Sequence, residues 1–227
     1  MDLTADEYAR RDADRLKQIL AGPPVTWLFL GDSITQAALH TRGRRGFVEH
    51  FAERVRGELA RVRDAVINTG VSGSRAEDAL PEFHWRVGRF APDVVFAMFG
   101  TNDAADGPDG VRSFRYALDQ VVQRSRDIGA TVVLQTPPTV TAGGPRDPQV
   151  LARYAAEVRD LAHDLGVVLV DHQARWSEAC DDAWFDDPSH PSAVGHIEMA
   201  RTVFEVAGVA DESSATYSLR LEEASAP

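Results

Sequence analysis

Six consecutive residues in mid-chain, Val94-Val95-Phe96-Ala97-Met98-Phe99, are apolar without a break. A strand that shows one face to water alternates apolar and polar positions. A strand with no polar position must be covered on both faces, as a central strand of a parallel sheet is. The run is entered through Pro92-Asp93 and stops at Gly100-Thr101-Asn102-Asp103. It is therefore bounded by turn residues and too short for a helix. Four other short apolar runs resemble it: Val25 to Leu30, Ala65 to Asn68, Thr131 to Gln135 and Val167 to Val170.

Between these runs the apolar period changes to that of a helix. Phe47, Phe51, Val55 and Leu59 recur every four residues, and Arg75 to Arg89 reads as a helix with Leu80, Val87 and Phe90 inward. Later segments carry Val111, Phe114, Leu118, Val121 and Val122, then Leu151, Tyr154, Val158, Leu161 and Leu165, then Ala193, Ile197, Ala200, Val203 and Phe204. Short strands alternating with helices predict an α/β fold: a parallel sheet with helices on both faces and right-handed crossovers. Thr4 to Leu20 reads as a preceding helix, with Thr4 and Glu7 at capping-box spacing. The loop from Thr136 to Asp147, rich in Pro, Gly and Thr, reads as a mobile rim. In the polar tail, Thr216 to Leu221 reads as an edge strand or as disorder. With no repeat and no linker, we expect one domain over 25–207, an N-terminal helix packed on it within 1–24, and a tail over 208–227.

The 227 residues carry a formal net charge of −11. That balance argues against nucleic-acid partners and anionic membrane surfaces, which require basic patches. No apolar run approaches a membrane span, and no basic region followed by an apolar core marks a secretory signal. The only cysteine is Cys180, so no intrachain disulfide forms. We expect a cytoplasmic protein. Cys180 sits among Glu178, Asp181 and Asp182, which would raise its pKa and disfavour a nucleophilic role.

Three polar clusters follow directly on apolar runs: Gly31-Asp32-Ser33, Thr69 to Ser74, and Gly100 to Asp103. In a parallel sheet all strand carboxyl ends share one edge, where ligands bind. A fourth cluster, Asp187-Pro188-Ser189-His190-Pro191, precedes the last helix. A serine hydroxyl becomes a nucleophile beside a base, and the base needs a group that fixes its tautomer. Ser33, His190 and Asp187 meet those needs if one tight turn brings the carboxylate to the ring nitrogen facing away from the serine. Attack on an acyl carbonyl also develops negative charge on its oxygen. The Ser33 N–H, the Gly73 N–H and the Asn102 side-chain amide are candidate donors to it. Taken singly, each of these residues is also an ordinary turn or capping residue.

Asp186, Asp187, His190 and His196 lie close in sequence, but no Cys pattern or His-Glu-x-x-His motif supports a metal. We expect no metal and no cofactor, with His196 on a helix surface or bracing a loop. Trp184 and Phe185 suit buried packing better than an acyl pocket. His40, His84, Trp27 and Trp85 give no chemical signal. Gly70-Val71-Ser72-Gly73-Ser74 lacks the final glycine of a nucleophile elbow.

Gly31-Asp32-Ser33, Gly73, Gly100-Thr101-Asn102-Asp103 and Asp187-x-x-His190-Pro191 resemble, in order, the four blocks of the SGNH (GDSL-type) hydrolases. The resemblance covers Val25 to about Ala207. It departs where family members often have a glycine soon after Ser-Ile-Thr and this chain has Gln36-Ala37-Ala38. It implies a flavodoxin-like three-layer α/β/α sandwich around a five-stranded parallel sheet. It also implies Ser33 as nucleophile, His190 as base, Asp187 as its partner, and an oxyanion hole of Ser33, Gly73 and Asn102. The expected activity is cofactor-free hydrolysis of an acyl ester through an acyl-enzyme. The acyl group ranges from acetyl on carbohydrate to lipid chains. Two alternatives remain: acyl transfer to an alcohol, and a non-catalytic binding module.

Overall fold

The computed structural model describes residues 4–221. Five strands, β1 (Thr26–Gly31), β2 (Ala65–Asn68), β3 (Val94–Met98), β4 (Thr131–Gln135) and β5 (Val168–Val170), form one sheet in the order β2-β1-β3-β4-β5. All neighbours in it are parallel. β3 is buried at every position, as an uninterrupted apolar run requires. Alternation sorts its side chains into two cores. Val95 and Ala97, with Leu28 and Leu30 of β1, face α5 (Val111–Asp127) and α6 (Pro148–Leu165). Val94, Phe96 and Met98, with Trp27 and Phe29, face α1 (Ala5–Ile19), α3 (Phe47–Ala52) and α8 (Ala193–Ala207). The rings of Phe29 and Phe96, paired across β1 and β3, stack with centroids 4.5 Å apart. The result is a three-layer α/β/α sandwich, as expected.

Several segments differ from the sequence reading. Arg75 to Arg89 is not one helix. It breaks into single turns around a short helix, α4 (Phe83–Arg86), because Arg86 is drawn inward to the ends of β1 and β2. The Phe47 helix passes into a π-helical stretch over Glu53–Glu58. A helix absent from the sequence reading, α7 (His172–Ala179), follows β5 and buries Trp176. In the tail, Ala215–Ser218 forms a short helix, α9, where an edge strand or disorder was expected. Its Ser214 hydroxyl caps Tyr217 N–H, and Thr216 is held by Glu58. The expectations for 222–227 lie outside the described residues. Among the described residues, no helix is long and apolar enough to cross a membrane.

Candidate active site

The parallel register brings three of the four clusters to one edge. Gly31 at the end of β1 pairs with Met98 at the end of β3, and Asn68 ends β2 beside Phe29. The turn after β1 is tight. A Cβ on Gly31 would lie 2.1 Å from Thr35 Oγ1 and 2.7 Å from the Met98 carbonyl, so no larger residue fits there. The short helix α2 (Ser33–Gln36) starts at once, capped by Asp32, whose Oδ1 accepts from Ile34 N–H at 2.9 Å. Asp32 is buried, and that burial, reinforced by the charge of Asp103, pushes its carboxyl up to about 7 against the Ile34 bond.

The second cluster is fastened to the first. Val71 N–H donates to the Gly31 carbonyl at 3.0 Å, and Asn68 Nδ2 donates to the Thr35 carbonyl at 2.7 Å. Gly73 lies on the turn from Val71 to Ser74 with φ +80°, a conformation that glycine adopts without strain. Asn102 Nδ2 donates to the Ser74 carbonyl at 3.1 Å. Asp103 receives Ala76 N–H on one oxygen and Gly100 N–H on the other, both at 3.0 Å. Burial pushes its carboxyl up to about 6 despite these bonds. Sequence reasoning missed Arg86, which is only 2% exposed. Its guanidinium donates to the carbonyls of Gly31 (2.6 Å) and Thr69 (3.1 Å) and to Ser74 Oγ (2.8 Å), joining the loops after β1 and β2. An arginine in an apolar period is a weak signal of such a clamp.

The fourth cluster arrives on a separate hairpin, β6 (Phe185–Asp187) with β7 (His190–Pro191), paired antiparallel. Asp187 Oδ1 accepts from Ser189 N–H (2.7 Å) and His190 N–H (2.9 Å), which closes the turn. His190 Nδ1 lies 2.9 Å from Asp187 Oδ2, and His190 Nε2 lies 3.0 Å from Ser33 Oγ. Partial burial pushes the Asp187 carboxyl up, but hydrogen bonds from Ser189 and His190 and the charge of the imidazole outweigh it and hold it below the usual value. With the His190 proton on Nδ1, Nε2 is free to accept the serine hydroxyl.

Other residues depart from the sequence expectations. The rim loop is fastened at both ends of the site: Thr141 N–H donates to the Pro188 carbonyl (2.9 Å) and Arg146 Nε to the Thr101 carbonyl (2.8 Å). His196 is not on a helix surface. It is buried against Phe47, whose N–H points to its Nδ1 at 3.4 Å, and burial lowers its pKa to about 3. Partial burial and the carboxylates of Asp182 and Asp181 push the Cys180 thiol up. His40, which the sequence left without a role, stacks on His190. An open cleft of about 480 Å³ beside the hairpin is lined by His40, Arg42, Phe185, Asp186, Ser192 and others, and a second of about 360 Å³ adjoins Gly73 between Val71 and Glu82.

The sequence model of the GDSL-like lipase/acylhydrolase family matches residues 29–196. An acetylxylan esterase of Geobacillus stearothermophilus is 26% identical over 210 residues, which are 80% of this chain and 93% of the esterase. The crystal structure of an acetylxylan esterase from the same organism aligns with a TM-score of 0.68 at 22% identity, covering 82% of this chain and 95% of that one. An α/β hydrolase from the metagenome of Lake Arreo aligns with a TM-score of 0.69 at 21% identity, over 84% and 98% of the two chains. Three solved catalytic mutants of the Geobacillus esterase replace a serine, an aspartate and a histidine, the last two three positions apart. An uncharacterized lipoprotein of Bacillus subtilis is 30% identical over 138 residues, which are 50% of this chain and 57% of the lipoprotein.

Proposed function

Because the chain belongs to the GDSL-like lipase/acylhydrolase family and is thereby a carboxylic ester hydrolase of SGNH type, we propose that Ser33, His190 and Asp187 are its catalytic triad and that it removes a small acyl group, acetyl above all, from a polar alcohol. The observation that carries this reading is the pair of contacts on one imidazole: Nε2 at 3.0 Å from Ser33 Oγ and Nδ1 at 2.9 Å from Asp187. Ser33 Oγ attacks the acyl carbon as its proton passes to Nε2. The resulting imidazolium is stabilised by Asp187, whose lowered pKa keeps it ionised at neutral pH. The oxyanion is received by the N–H groups of Ser33 and Gly73 and by Asn102. One amide hydrogen of Asn102 is engaged on Ser74, which orients the group, and the second is left for the oxyanion. The tetrahedral species expels the alcohol, which takes the proton from His190. Water then repeats the sequence on the acyl-enzyme and releases the acid.

Two features support a small acyl group on a polar alcohol. The clefts flanking the site are open and mix charged and hydroxyl side chains, among them Arg42, Asp186, Ser192, Asp78 and Glu82, with scattered apolar ones such as Phe185, Val194 and Val71, so neither is an apolar channel. A long acyl chain would instead need an apolar channel to leave water. The likeness to an acetylxylan esterase points the same way, and its catalytic mutants have the Asp-x-x-His spacing of Asp187 and His190. A cytoplasmic location remains part of the proposal on the strength of the single cysteine. The partial likeness to a lipoprotein is the observation against it, and cell fractionation separates the two.

The test is Ser33→Ala with p-nitrophenyl esters from acetate to palmitate and a fluorophosphonate probe. We expect acetate to be the best substrate, activity to fall at least about 10³-fold in the variant, and labelling to disappear. Undiminished labelling of the variant would remove Ser33 from its role, and a preference for palmitate would remove the small-acyl reading.

A further inference from the structure

The loop after α2 carries His40 over the triad turn. Arg42 Nε, on the same loop, donates to Asp186 Oδ1 at 2.7 Å and fastens the loop to β6. His40 Nδ1 lies 3.3 Å from Asp187 Oδ2 and 3.4 Å from Asp186 Oδ2. Its ring covers that of His190, with centroids 3.6 Å apart and planes inclined by 6°. The ligand atoms of His40, Asp187 and His190 lie within 4.8 Å of one another, a grouping that by distance alone would suit a metal ion. The stack argues against that. An imidazole binds a metal in its ring plane at about 2 Å, and two parallel stacked planes do not meet at one ion.

We propose that His40 is a positioning residue for His190. This rests on Ser33, His190 and Asp187 acting as the triad. Rotation of the His190 ring about its Cβ–Cγ bond would break both of its contacts at once, and the His40 face blocks that rotation. The stacked His40 ring also offers its π face to the imidazolium that His190 becomes during acyl transfer.

The experiment compares His40→Ala, which removes the ring, with His40→Phe, which keeps an aromatic face but takes no proton. Both are assayed beside wild type and Ser33→Ala at pH 8. We expect His40→Ala to lower kcat about 10- to 100-fold with KM within about two-fold. His40→Phe should recover kcat to within about three-fold of wild type at pH 8. An unchanged kcat in a folded His40→Ala overturns the positioning role. If that variant does not fold, kcat of His40→Phe at pH 8 decides it. Full activity in Ser33→Ala would instead strike the triad reading itself, so the two failures are told apart.

Discussion

The two halves of the candidate site are built on opposite plans. The half that carries Ser33, Gly73 and Asn102 grows from the ends of β1, β2 and β3, and buried charged side chains hold it together. Arg86 gathers the carbonyls of Gly31 and Thr69, while Asp103 gathers the N–H groups of Ala76 and Gly100. The half that carries Asp187 and His190 is a two-stranded hairpin at the surface, where the Asp187 side chain is 37% exposed. Apart from the contact of His190 with Ser33, its hydrogen bonds are local, or come from loops laid over it: Thr141 on Pro188, and Arg42 on Asp186. Removing a buried charge strips partners from groups that water cannot reach, whereas an exposed one leaves groups that water re-solvates. The first half should therefore be inseparable from folding, and the second should be alterable without harm to the fold.

The largest effect should come from the hairpin. Asp187→Ala is expected to lower kcat/KM by about 10³- to 10⁴-fold, with Tm within about 2 °C of wild type because the side chain is half in water. A Tm loss well beyond that would mean the hairpin is as much a part of the fold as the sheet edge. Next is Arg86→Met, which keeps the aliphatic bulk and deletes the donors. It removes the guanidinium's bonds to the Gly31 and Thr69 carbonyls and to the Ser74 hydroxyl, at a cost of about 2–4 kcal/mol in urea unfolding. An Arg86→Met protein as stable as wild type would erase the contrast from the other side.

The sheet edge was far more legible in the sequence than the hairpin's surroundings. An uninterrupted apolar run such as Val94 to Phe99 has few folds open to it, and the clusters at the ends of such runs converge by topology alone. Asp187 and His190 were legible because a spacing of three residues and two prolines define a turn. His40 was not, since it reaches His190 across 150 residues of chain through an irregular loop with Ala37 and Arg42 at positive φ. Arg86 was hidden for a different reason. Its inward turn depends on carbonyls at the ends of β1 and β2, and no periodicity in its own segment records them. Helix α7 escaped because Trp176 is its main apolar anchor, which leaves no stripe to read.

The smallest effect tests whether Asp32, at the buried sheet edge, carries a charge. Burial, with the charge of Asp103 adding to it, raises the Asp32 carboxyl to about 7, so the folded protein holds a proton there that the unfolded chain gives up near its ordinary value of 3.8. Stability from this group is complete below that ordinary value and is lost as pH rises through 7. The buried imidazoles of His50, His172 and His196 act in the opposite sense. Burial lowers them to about 4, 3 and 3, so their contribution is present above about 6.5 and is lost on acidification. In wild type the two trends mask each other between pH 5 and 7. Asp32→Asn keeps the oxygen that caps Ile34 and cannot ionise, so it should leave the histidine trend alone. The Tm of the variant relative to wild type should climb by about 2–4 °C per pH unit from pH 5 to 7 and level off above. Calorimetry of the two proteins across that range checks it. A difference that stays flat with pH would mean that Asp32 is ionised in the folded protein throughout, and that its bond to Ile34 outweighs its burial.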